Sequence, residues 1–123
     1  MKRNMDLARE ILLRIEATEP RDAPKLDIPG FEEEEIGLHV ELVIEHGFVK
    51  GITIPRGDGR AHTIAAYRIE GLTWEGHDFL DAARKETIWK KAKEKCLEAT
   101  GGLAFDALKA CLVELGKEAI SRS

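Results

Sequence analysis

Cysteine is scarce in this chain: Cys96 and Cys111 are the two thiols among 123 residues. They form no CxxC pair, and no histidine stands near either at zinc-ligand spacing. A disulfide scaffold and a zinc ribbon are thereby excluded, and both thiols are expected to be reduced and buried like small apolar side chains. Long apolar runs are missing too, since no segment approaches the roughly 18 residues that a membrane span requires. The start, Met1-Lys2-Arg3-Asn4-Met5-Asp6, is basic but leads into no signal-peptide core, so a cytoplasmic protein without a membrane partner is expected. A surplus of positive charge is also lacking. With 19 Lys and Arg against 23 Asp and Glu, the net charge of −4 gives the molecule no general attraction for phosphates or anionic lipid. No phosphate-binding glycine loop is present, Gly101-Gly102 reading as a break between helices.

What is there is a globular balance, 43% hydrophobic and 34% charged, at a length that suits one domain over residues 1–123. Met5, Ala8, Ile11, Leu12 and Ile15 recur at helical steps and predict a first helix capped by Asn4 or Asp6. Pro20 and Pro24 break it, and Lys25 to Ile28 reads as a short strand before a Pro29-Gly30 turn. Ile36, Val40, Val43 and Ile44 predict a second helix over 32–46, with Gly47 closing it at positive φ. Phe48 to Ile54 and His62 to Leu72 read as the strands of a hairpin around a flexible turn, in which Arg56-Gly57-Asp58 is turn-forming sequence rather than an adhesion signal. Thr73 is a natural cap for a helix from Trp74 towards Arg84, and helices follow over 87–99 and 105–120.

The order helix, short strand, helix, β-hairpin wing and C-terminal helices makes the expected fold α+β and winged-helix-like, with residues 85–123 as a helical extension. Between Pro29 and Gly47 there is room for one helix, so the leading helix of a helix-turn-helix is shortened, displaced towards Ala23 to Ile28, or absent. Three stretches, Met1 to Leu7, Glu35 to Leu42 running into Glu45-His46-Gly47-Phe48-Val49, and Leu72 to Ala82 with Thr87-Ile88-Trp89, resemble the domain-of-unknown-function family numbered twenty-five thirteen. The block from Leu72 to Ala82 is the most specific of these. The resemblance implies a winged-helix-like fold and a phage or mobile-element setting, and it carries no activity with it. Leu72-Thr73 with Gly76 also looks like the strand-to-helix junction that follows the wing in many bacterial regulators.

Residues 31 to 47 hold six glutamates and no lysine or arginine. Carboxylates at Glu32-Glu33-Glu34-Glu35 suit the positive end of a helix dipole, and they would repel phosphates if this helix entered a major groove. Positive charge gathers instead at Lys50, Arg56, Arg60, His62 and Arg68 around the hairpin, and at Arg84, Lys85, Lys90, Lys91, Lys93 and Lys95. Glu35, His39 and His46 share a helix face but lack a further ligand, so no metal is expected. His77-Asp78 has no nucleophile in a recognisable elbow, so neither an enzyme nor a cofactor is expected. Trp74, Phe79, Leu80 and Trp89 read as core before they read as a base-stacking platform. On the last helix, Leu108, Leu112, Leu115 and Ala119, flanked by Cys111 and Ile120, form a stripe that closes over the Trp89 helix or pairs with its mate in a two-fold dimer.

The expected function is a non-catalytic interaction module for a protein partner or for self-association as a homodimer, with Glu34, Glu41, Glu45, Leu108, Leu112 and Leu115 as its contacts. The alternative is a nucleic-acid-binding transcriptional regulator that contacts DNA through Lys50, Arg56, Arg60, Arg68, Lys90 and Lys91.

Overall fold

Helix α1 (Met5–Ala17) begins at the first residue able to cap it: in the computed structural model, which describes residues 2–18, 26–57 and 62–122, Asn4 Oδ1 accepts the Leu7 amide at 3.1 Å. Asn4, not Asp6, is therefore the cap. The helix buries the apolar stripe that its periodicity announces, Met5, Leu7, Ala8, Ile11, Leu12 and Ile15. The proline break at Pro20 and Pro24 lies outside the described residues.

Leu26, Asp27 and Ile28 form no strand, which corrects the strand expected from Lys25 to Ile28; Lys25 itself is outside the described residues. The buried–exposed–buried alternation of these three side chains mimics a strand, but no ladder pairs their backbone, and the Ile28 carbonyl accepts the Phe31 amide at 3.2 Å in a turn. Arg14 Nη1 donates to the Asp27 carbonyl at 3.1 Å, and the Tyr67 hydroxyl bonds the Leu26 backbone. No helix occupies 26–28 either.

Helix α2 (Glu33–Glu45) follows, and Gly47, at φ 91°, turns the chain into the hairpin. Strands β1 (Val49–Pro55) and β2 (Ile64–Leu72) pair antiparallel, Val49 opposite Leu72 and Ile54 opposite Ala66, with irregularities at Lys50/Gly51 and Ile54/Pro55. Helices α3 (Trp74–Ala83), α4 (Glu86–Thr100) and α5 (Phe105–Arg122) complete an α+β fold of five helices and a two-stranded sheet among the described residues.

The chain falls into two compact units, Met1–His77 and Asp78–Ser123, the second beginning within α3. In the first, α1 packs on α2 and α2 packs on both strands. Ile36, Val40, Val43, Phe48, Val49 and Ile64 join the α1 stripe in the core. In the second, α4 and α5 form a helical hairpin joined by four residues, Gly101 taking φ 77° at the α4 end. The Phe79 ring meets Trp89 and Phe105 edge-on, at centroid distances of 6.2 and 5.5 Å. Each fully buried side chain of this size contributes on the order of 1.5–3 kcal/mol.

Thr73 and Gly76 fix the junction from β2 into α3. Thr73 Oγ1 accepts the Gly76 amide at 3.1 Å and donates to the Gly47 carbonyl, while its own amide donates to the Phe48 carbonyl at 3.0 Å. A Cβ on Gly76 would lie 2.0 Å from the Phe48 carbonyl oxygen, so no larger residue fits this backbone.

Candidate interaction surface

The outer face of the hairpin follows from strand alternation. Lys50, Ile52 and Ile54 point to one side of β1, opposite Arg68 and Ala66 on β2. Ile52 is 59% exposed and Ile54 is 51% exposed, an apolar pair facing solvent on a ribbon whose inner face packs on α2. Arg68, across from Ile52, is exposed and has no ion-pair partner among the described residues. Lys50 Nζ lies 3.4 Å from Glu70 Oε2.

The other expected cations of the hairpin are drawn to α2. Arg56 lines a cleft with Glu32, Glu33, Glu34 and Tyr67, and its amide donates to the Thr63 carbonyl at 2.8 Å. His62 Nε2 is 2.7 Å from Glu41 Oε1 and 3.0 Å from Oε2, and Thr53 Oγ1 donates to the same carboxylate at 3.5 Å. Glu41 thus ties α2 to the hairpin, whereas Glu34 and Glu45 remain exposed. Arg60 is outside the described residues. Partial burial pushes the Tyr67 hydroxyl up from 10.0; its bond to the Leu26 backbone opposes this, and the charge of Glu33 adds to it.

On α4, Lys90 and Lys91 are exposed and unpaired among the described residues. Their neighbours are engaged: Lys93 Nζ stands 5.7 Å over the Trp89 ring, Lys95 bonds Glu114 at 3.1 Å, and Arg84 bonds Asp81 at 3.0 Å.

Three expectations need correction. Trp74 is not core but 81% exposed, because it lies about 140° around α3 from Phe79, which together with Leu80 sets the buried side. Leu108 and Leu112 are 0% and 1% exposed, so these two belong to the core and face no outside partner, α5 being closed over by α4. Leu115 is half-buried, and only the far end of the stripe, Ala119 and Ile120, reaches solvent. Cys96 is fully buried as expected, but Cys111 is half-exposed.

Among the described residues His39 is the buried polar side chain of the core, at 0% exposure. Its Nε2 accepts the Asn4 amide at 2.8 Å and its Nδ1 donates to the Glu35 carbonyl at 2.9 Å, which fixes the neutral tautomer with the proton on Nδ1. No nitrogen is left over for a metal or a substrate. His46 is exposed and stands edge-on to Phe48, 4.5 Å between ring centroids. Among the described residues no three His, Cys, Asp or Glu side chains gather closely enough to hold a metal ion, and no helix is long and apolar enough to cross a membrane. His77 and Asp78 are both exposed on α3. Ile52 and Ile54 were hidden in the sequence, where a run of β-branched residues reads as core whichever face it occupies.

Residues 2–102 match the family described as Hypothetical protein (DUF2513), and the chain belongs to that family. It is 33% identical over 111 residues to an uncharacterized protein of Haemophilus influenzae, covering 89% of this chain and 90% of the relative. The matched span takes in α1, α2, the hairpin, α3 and α4, and ends just beyond α4. No solved structure matches the chain.

Proposed function

We propose that this protein is a non-catalytic interaction module on a winged-helix arrangement, acting in the cytoplasm, and that it self-associates through the outer face of its hairpin. The observation that carries the proposal is the Ile52–Ile54 pair, both more than half exposed on one side of the ribbon. A second copy suits this face in charge as well as in hydrophobicity. In a two-fold arrangement the apolar pairs stack, and Arg68, which has no ion-pair partner among the described residues, meets the Lys50–Glu70 pair of its mate. The winged-helix reading draws on element order, α1 and α2 followed by a hairpin, and on α2 packing against both strands. That His39 spends both ring nitrogens on backbone groups favours a module without catalysis. The phage or mobile-element setting belongs to this reading too and is tested by the neighbourhood of the coding sequence. Replacing Ile52 and Ile54 by lysine tests the surface: a folded monomer by circular dichroism and gel filtration supports it, and an unchanged elution position with an intact fold contradicts it.

A second reading rests on Lys90 and Lys91, adjacent, exposed and unpaired among the described residues. In that reading these two lysines contact a nucleic-acid backbone. Affinity for a duplex should then fall with salt, and each lysine changed to alanine should lower the slope by about one unit.

A further inference from the structure

We infer that the outward face of α3 around Trp74 is a docking surface for a positively charged segment of a partner protein, one of whose lysine or arginine side chains stacks on the indole. Trp74 is 81% exposed, the most exposed large apolar side chain among the described residues. Glu75, His77 and Asp78 stand beside it in the first turn and a half of α3, and all three are exposed. Asp78 projects about 40° and His77 about 60° around the helix from Trp74, so these three share a face, and Glu75 flanks it at about 100°. None of the four side chains has a hydrogen-bond, ion-pair or ring partner among the described residues. Helix α3 carries no lysine or arginine, and Arg84, just beyond its end, bonds Asp81 at 3.0 Å.

The chemistry of this face selects its occupant. The positive end of the α3 dipole accounts for Glu75, but nothing about a helix start calls for an indole in water. Any partner that covers the Trp74 ring also strips water from Asp78 and Glu75, and carboxylates so treated need cations in return. A purely apolar partner would leave them unpaired. A nucleic-acid base could stack on the ring, but its phosphates would meet the two carboxylates, and the same repulsion excludes an anionic membrane surface. A lysine or arginine meets both demands: its charge lies over the indole, the best aromatic face for a cation, and further positive charges of the same segment pair with the carboxylates. Lys93 over Trp89, at 5.7 Å, is the same kind of contact made within the chain. The surface uses none of the hairpin residues, so it is independent of pairing through Ile52 and Ile54.

The test is calorimetric titration of the full chain with a synthetic peptide of alternating arginine and alanine, against the same peptide with glutamate in place of arginine. The arginine peptide should bind, more weakly as salt rises, and the glutamate peptide should not. Affinity should fall in the order Trp74, Trp74→Phe, Trp74→Leu, the leucine variant losing roughly fivefold although it stays apolar. Glu75→Gln with Asp78→Asn should also lose roughly fivefold. These positions are exposed, and circular dichroism should show each variant folded. The Ile52→Lys, Ile54→Lys chain should bind the peptide as the unmodified chain does, so failure here and failure of the hairpin face are told apart. No binding of the arginine peptide, equal binding of the glutamate peptide, or full affinity in Trp74→Leu would overturn the inference. So would peptide binding that is lost as the chain is concentrated, which would put a second copy on this face.

Discussion

The Asn4 amide donates to Nε2 of His39 at 2.8 Å, while the Asn4 side chain caps α1 through the Leu7 amide at 3.1 Å. One residue thus closes the start of α1 twice, once by its own side chain and once by a buried imidazole on α2. Replacing His39 by leucine keeps the bulk but leaves that amide without an acceptor, at a cost of roughly 1–3 kcal/mol. Asn4→Ala should cost about 1 kcal/mol through the lost cap. Urea titrations should show both as a lower midpoint at unchanged slope, with His39→Leu the larger effect.

Two glycine-to-alanine changes should move stability in opposite directions. Gly76→Ala drives a Cβ to 2.0 Å from the Phe48 carbonyl oxygen, so α3 must leave the hairpin or the chain must fail to fold. Gly116, within α5, has nothing within 4 Å of its would-be Cβ. Gly116→Ala should stabilise by about 0.5–1 kcal/mol, read as a higher Tm.

Glu41 and His62, 2.7 Å apart, make a partly exposed pair, so their coupling should be modest. A double-mutant cycle with Glu41→Gln and His62→Gln should return less than about 1 kcal/mol, shrinking further in high salt. A coupling of several kcal/mol would mean that this contact, rather than the apolar packing of α2, holds the hairpin.

The chain has one tyrosine, so its ionisation can be followed alone by tyrosinate absorbance. Tyr67 should titrate above its ordinary value of 10.0 in the folded chain. The folded state then holds the phenolic proton more tightly than the unfolded state does. The stability this supplies is complete below 10.0 and is lost as pH rises through the folded value. Unfolding in urea should restore the ordinary titration.

Much of the fold was legible because helical periodicity and caps act locally. The stripe from Met5 to Ile15, the Thr73 cap and Gly47 at positive φ each carry their instruction within a few residues. What the sequence hid depends on partners distant in the chain. Leu26 and Ile28 alternate like a strand, yet only the fold supplies the Arg14 and Tyr67 groups that bond their segment. Trp74 looks like core until Phe79 fixes which side of α3 is buried, and Leu112 looks like an open stripe until α4 folds back over it. Lys50 and Arg56 read as free cations until Glu70 and the start of α2 come alongside.

Sedimentation equilibrium of the unmodified chain over a wide concentration range tests self-association through Ile52 and Ile54. The expected result is a concentration-dependent mass rising from one chain towards two, a rise abolished by Ile52→Lys with Ile54→Lys in a protein that remains folded. A mass of one chain at every concentration, or a dimer indifferent to both substitutions, would contradict it.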